Sequence, residues 1–163
     1  MNRILSMLAT SKLGRAYTKY AALSWHEKRL LIEIGFLLAC SWVAIRFVAF
    51  KRLTPHFGQR HHETAKVLTH TDPEAILIGR LIRAASDRLP WECKCLAQAL
   101  VAQIMLSRRK IATTLYIGVT RDSDETRQHQ AHAWVRYGEH YLTGGRGHKR
   151  YTVIDFYGTE LTR

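Results

Sequence analysis

The sequence predicts an α+β chain in which helices come first and an antiparallel sheet follows. Two observations carry this. Apolar residues recur at helical spacing up to about Ser107 and alternate at strand spacing from Thr113 onward. The later segments are also rich in β-formers, short, and separated by Gly-containing turns. Runs of helices followed by runs of strands indicate α+β rather than a parallel α/β sheet.

The elements follow in order. Ser24-Trp25-His26-Glu27 matches a capping box, with Ser24 at the N-cap and Glu27 at N3. The apolar segment Leu30 to Phe50 comes next, but only Ile34 to Ile45, 12 residues, is free of charge. A membrane span needs about 18 or more such residues, so a buried helix is expected, with a membrane-associated helix as the alternative. Residues 55–72 are polar and hold His56, His61, His62 and His70. They read as a linker, and the absence of a paired Cys or an HxxxH pattern makes these solvated histidines rather than metal ligands.

Thr71-Asp72-Pro73-Glu74 signals a second helix, with a capping residue, Pro in the first turn and then an acid. Ile76, Leu77, Leu81, Ile82 and Ala85 keep helical spacing, and Pro90 ends the element. A third helix starts near Cys95 and runs to about Ser107; it is apolar on nearly every side and so is expected to be deeply buried. Strands are expected at Thr113–Thr120, Gln130–Tyr137, His140–Thr143 and Tyr151–Tyr157. The division drawn from this is a basic helical region over residues 1–70 and a core over residues 71–163.

The chain has 163 residues, 47% hydrophobic, with a formal net charge of +12. That apolar content excludes a disordered chain, because it suffices to offset the entropy of ordering. Residues 1–70 hold 11 basic and 3 acidic residues, a net +8, and residues 71–163 hold 14 and 10, a net +4. Such a basic front half suits an anionic partner, so a non-enzymatic adaptor for anionic lipid or nucleic acid is one reading. No recognised nucleic-acid motif or aromatic-interleaved basic array accompanies the charge, which ranks nucleic acid low. Three cysteines do not make a disulfide framework, and no cleavable signal sequence is evident, so a reducing cytoplasm is the expected location.

One pair of residues carries chemistry. Cys95 stands at the start of a buried helix, and His132 stands in a strand 37 residues later. Unsatisfied N–H groups and the positive end of the helix dipole favour thiolate there, and the same groups can hold an oxyanion. A His on a rigid strand has the pKa of a general base. Together they form a nucleophile–base pair for acyl transfer to water or to an amine. Cys93 competes with Cys95, but it lies in the polar turn after Pro90-Trp91, whereas Cys95 leads directly into the helix. Cys40, within an apolar helix, is expected to be inert. Trp91 and Trp134 are candidates for the substrate cleft, Trp134 on the same strand face as His132.

The run LPWECKCLAQALVAQIMLSRRKIATTLYIGV, followed by AHAWVRYGEHYLTGG, resembles the transglutaminase-like leader peptidases of lasso-peptide biosynthesis in their stand-alone form. Cys95-Leu96, Arg108-Arg109, Ile117-Gly118-Val119 and Ala131-His132-Ala133-Trp134 carry the likeness, which is strong over about residues 89–157. The resemblance implies a transglutaminase-like, or papain-like, cysteine protease core. It implies removal of the leader from a ribosomally made precursor peptide. A separate leader-binding protein would deliver that peptide, and an asparagine-synthetase-like cyclase would close the ring. ATP dependence is associated with that maturation complex, but no phosphate-binding loop is present in this chain, so a nucleotide would lie with a partner.

The family's third, acidic member is expected on the strand after the His strand. Pairing through the turn at Gly138-Glu139 puts His132 roughly opposite Gly144 or Gly145, which carry no side chain for the task. Asp155 is the best downstream carboxylate by type, one strand further on. Thr143, Asp122 or a backbone carbonyl are the alternatives.

Overall fold

The computed structural model describes residues 20–89, 95–120 and 130–159. Among the described residues four α-helices and five strands follow in the order α1 (Trp25–Phe47), α2 (Phe50–Leu53), β1 (Gln59–Arg60), α3 (Pro73–Ser86), α4 (Cys95–Arg108), β2 (Thr114–Thr120), β3 (Ala131–Tyr137), β4 (His140–Thr143) and β5 (Tyr151–Gly158), so all of the sheet but its short edge strand comes after the helices. The sheet order is β1-β5-β2-β3-β4, and every neighbouring pair is antiparallel. The fold is the α+β arrangement that the change of period predicts.

Helix starts follow their local chemistry. At α1 the Glu27 N–H donates to Ser24 Oγ at 3.2 Å and the Ser24 N–H donates to Glu27 Oε2 at 3.0 Å, closing the capping box. At α3 the Asp72 carboxylate accepts from the Glu74 N–H at 2.8 Å, with Pro73 at the first helical position, where its missing N–H costs nothing.

α4 forms the centre. It packs against β3 and against both α1 and α3. Its Leu100, Val101, Met105 and Leu106 join one core with Leu30, Ile34 and Leu38 of α1, Ile78 and Ile82 of α3, and Leu115 and Val135 of the sheet. Arg109, just past α4, ties the three helices together. Its guanidinium donates to Glu33 of α1 and Glu74 of α3, both at 3.0 Å, and to the Met105 carbonyl at 3.0 Å. α1 departs from expectation: it is a helix, but only its inner row of Leu30, Ile34, Leu38 and Ser41 is buried.

Residues 55–72 also differ from the expected linker. β1 pairs with β5 at the sheet edge, and the segment after it crosses the sheet surface. The Thr64 N–H donates to Thr114 Oγ1 at 2.9 Å. The guanidinium of Arg136, 3% exposed, donates to the carbonyls of Thr64, Ala65 and Gly138, to Glu63 and to the Tyr116 hydroxyl. A buried guanidinium is tolerated when its five donors find such acceptors. The Tyr116 hydroxyl, which donates to Glu63, is pushed up to about 12 by burial and by that hydrogen bond. A two-residue strand leaves no periodic trace, so the sequence pattern gave no sign of it.

Candidate active site

Cys95 is the first residue of α4 and is half-buried. The first N–H groups of a helix have no intrahelical partner, so the thiol sits where both hydrogen bonding and the dipole favour an anion. His132 is the second residue of β3. The fold brings the two to one cavity of about 340 Å³, with Arg83, Asp87 and Gln98 on the helical side and Gly144, Gly145 and Arg146 opposite.

The imidazole of His132 is fixed from three directions. Its Nε2 lies 2.7 Å from the Gly144 carbonyl oxygen. A carbonyl can only accept, so Nε2 carries the proton, and in the neutral ring Nδ1 is the basic nitrogen. The ring also stacks on Tyr151 at 4.7 Å and on Trp134 at 5.7 Å between centroids, at interplanar angles of 28° and 27°.

Two glycines make this possible. Gly144 has φ +63°, and a Cβ there would lie 2.2 Å from the Ala133 carbonyl oxygen, so only glycine can turn its own carbonyl toward the imidazole. Gly118 pairs with His132 across β2 and β3. A Cβ on it would lie 3.0 Å from both the Trp134 ring and Tyr151 Cβ, in the space the aromatic stack needs.

Asp155 is not brought to His132. A register shift between Ile117 and Gly118 separates the Asp155–Ile117 pair from the row that holds Val153, Gly118 and His132. The carboxylate is occupied instead by Arg60 Nε at 3.1 and 3.0 Å, by the Tyr157 hydroxyl at 2.8 Å and by the Phe156 N–H at 3.0 Å, with His61 Nε2 at 3.4 Å. Burial pushes the Asp155 carboxyl up, but the hydrogen bonds from Arg60 and Tyr157 outweigh it and hold it below its ordinary value. Among the described residues, the polar partner of His132 is the Gly144 main chain. Thr143, the residue before it, is buried, and its hydroxyl has no partner among the described residues.

Trp134 is 3% exposed, so its ring packs on the imidazole with almost no surface left for a peptide. Trp91, Cys93 and Asp122 lie outside the described residues. Strand pairing from sequence places Gly144 or Gly145 opposite His132 and leaves a backbone carbonyl among the alternatives, and it is the Gly144 carbonyl that the ring meets; Tyr151 is not singled out from sequence, because a ring at the start of a strand carries no motif.

Cys40 lies mid-helix in α1 and is exposed. It lines a larger cavity of about 530 Å³ between α1 and α4, together with His56 and Arg108 among mostly apolar side chains. Cys40 stands in the middle of its helix, away from the open N–H groups of that helix's start, whereas Cys95 is the first residue of α4. Among the described residues, no group of three or more His, Cys, Asp or Glu side chains is placed to hold a metal ion.

The family model of the transglutaminase-like superfamily matches residues 31–155, a range that includes α3, α4, Cys95 and His132 and most of α1. No curated protein and no solved structure matches the chain.

Proposed function

This chain belongs to the transglutaminase-like superfamily, which includes cysteine peptidases, and we propose that it is a cysteine peptidase that removes the leader from a ribosomally made lasso precursor peptide. The observation that carries the peptidase reading is the shared cavity: the Cys95 thiol at a helix N-terminus faces the same space as a His132 ring whose Nε2 is committed to Gly144. The substrate class is supported by the motif likeness over about residues 89–157. The same likeness supports a separate leader-binding protein and an asparagine-synthetase-like cyclase as partners.

The shared cavity supports the following chemistry. His132 Nδ1 takes the Cys95 proton, giving thiolate and imidazolium. The imidazolium keeps its Nε2–H on the Gly144 carbonyl, so the ring does not turn as it charges. The thiolate attacks the scissile carbonyl, and the α4 N–H groups receive the oxyanion. As the C–N bond breaks, the imidazolium returns its proton to the leaving amine. Water, deprotonated by the same nitrogen, then hydrolyses the thioester and frees the thiol. Trp134 and Tyr151 shield the ring and hold its plane.

The test pairs the full chain with a short precursor peptide and a leader-binding protein, both sought in the neighbouring reading frames, and follows the peptide by mass spectrometry. The expected result is leader release, abolished in Cys95→Ala and lowered by about 10²-fold or more in His132→Ala, with circular dichroism unchanged. Gly144→Ala is expected to lower turnover of the same peptide, because it displaces the carbonyl that fixes the ring. Full cleavage by Cys95→Ala together with loss in Cys93→Ala would overturn the assignment of the nucleophile. A product carrying an added amine in place of a free carboxylate would identify acyl transfer instead of hydrolysis.

A further inference from the structure

The outer face of α1 is apolar and uncovered among the described residues. Trp25, Ile32, Phe36 and Phe47 are each between 68% and 77% exposed, and Val43 lies between the last two at 48%. With Arg29 and Cys40 these residues follow each other at steps of three and four, so they form one stripe along the helix. At about 1.5 Å per residue the stripe is roughly 33 Å long. Soluble proteins seldom leave so continuous an apolar surface without a use for it.

The charges around the stripe are of one sign. Arg29 lies on it, and Arg46, Lys51 and Arg52 stand exposed at its far end. The two acids of α1 are already paired. Glu27 is bound by Ser24 and by Arg80 of α3 at 3.1 Å, and Glu33 by Arg109 at 3.0 Å. A cavity of about 620 Å³ opens beside the stripe, with Ile32 and Phe36 on its apolar side and His26 and Arg29 on its polar side. Its remaining polar walls, Glu33 and Arg109, are bound to each other.

We propose that α1 docks this chain on an anionic lipid surface, lying in the plane of the interface with Trp25, Ile32, Phe36 and Phe47 in the acyl boundary and Arg29, Arg46, Lys51 and Arg52 at the headgroups. α1 is long and apolar enough to cross a bilayer by length and composition. Spanning would, however, strip Leu30, Ile34 and Leu38 from the core and carry Glu33 into hydrocarbon, so the helix lies on the membrane rather than through it. A second copy of the chain is the poorer occupant. Its own stripe would bring Arg29, Arg46 and Lys51 against like charges, with no acid of α1 free to meet them.

The experiment is co-sedimentation of the full chain with vesicles of phosphatidylcholine alone and of phosphatidylcholine mixed with phosphatidylglycerol. Binding to the mixed vesicles, weak binding to the neutral ones and loss of binding with added salt are expected. Lys51→Ala with Arg52→Ala lowers affinity for the mixed vesicles by about 30-fold, from the usual contribution of each basic residue near an anionic surface. Phe36→Ser with Phe47→Ser lowers it on both kinds of vesicle, while thermal unfolding stays as in the wild type because both rings are outside the core. Failure to bind the mixed vesicles, or binding that neither pair of substitutions weakens, overturns the proposal. So does a doubled mass in light scattering that Phe36→Ser abolishes, which would make the stripe an interface between copies. None of these outcomes depends on Cys95 or on any peptide substrate.

Discussion

Helices α1 and α4 are both apolar around most of their circumference, yet α4 buries eight of its 14 residues and α1 only four of its 23. Neither has a strongly one-sided sequence. The difference comes from where each lies. α4 has β3 beneath it and α1 and α3 beside it, so most directions its side chains point are filled. α1 has the other helices on one side only. Apolar content on every face therefore has two structural meanings: a helix enclosed by its own fold, or a helix with one face still to be covered. The distinction matters for function because α4 carries Cys95 at its first position. Enclosure fixes the thiol and the helix N–H groups as one rigid unit, as nucleophilic chemistry requires.

The largest effect that tests this contrast is a cavity in α4. Leu106 is fully buried, and Leu106→Ala is expected to cost about 2–5 kcal/mol in urea unfolding, since the surrounding layers cannot collapse into the gap. Ile34→Ala, on the inner row of α1, falls in the same range because Ile34 is also fully buried. A cost below about 1 kcal/mol for Leu106→Ala would place it among ordinary surface substitutions and remove α4 from the centre of the core.

An intermediate effect concerns how α1 is held. Besides its inner row it relies on polar ties: the capping box, Glu27 to Arg80, and Glu33 to Arg109. The Ser24 N–H and hydroxyl, and then Arg80, hold the Glu27 carboxyl below its ordinary 4.5. A carboxyl lowered in the folded state contributes stability above its unfolded pKa and loses it as pH falls through the folded one. Below about pH 4.5, α1 amides near residues 25–30 should therefore exchange faster while those in the middle of α4 stay protected, as read by hydrogen exchange. Glu27→Gln should flatten this acid response of α1, and equal acid sensitivity of the two helices would break the contrast.

Much of this architecture is legible in the residues because it depends on short-range chemistry. Ser24 with Glu27, Asp72 with Pro73 and the apolar run behind Cys95 fix helix starts within a turn, and the strands at 114–120 and 140–143 follow from alternation. What escapes the sequence depends on contacts between distant segments. Arg60 meets Asp155 across 95 positions, and this occupies the carboxylate that chemistry by type would assign to His132. The register shifts at Val135/Arg136 and at Ile117/Gly118 alter which residues face one another, and neither leaves a mark in composition. The main-chain partner of His132 is half legible: counting back through the Gly138-Glu139 turn puts Gly144 or Gly145 opposite the ring, but only the fold chooses the Gly144 carbonyl over Thr143, Asp122 or Asp155. The outer face of α1 is hidden for a related reason: counting apolar residues gives the same answer for Ile32 and Ile34.

Those two isoleucines give the smallest and most direct prediction. They are two positions apart in one helix, with identical side chains, but Ile34 is fully buried and Ile32 is 68% exposed. Two steps along a helix turn the side chain through about 200°, enough to carry it from the core to the outer stripe. For Ile32→Ala the cavity cost vanishes because water already occupies most of that surface. The exchange of a β-branched residue for alanine then favours the helix by a few tenths of a kcal/mol. Ile32→Ala is thus expected to leave urea unfolding within about 0.5 kcal/mol of the wild type, on the stabilising side, where Ile34→Ala loses several-fold more. A loss of 2 kcal/mol or more at Ile32, the scale of a core truncation, would mean that another part of the protein covers the stripe in solution, and the surface assigned to lipid would then belong to the fold.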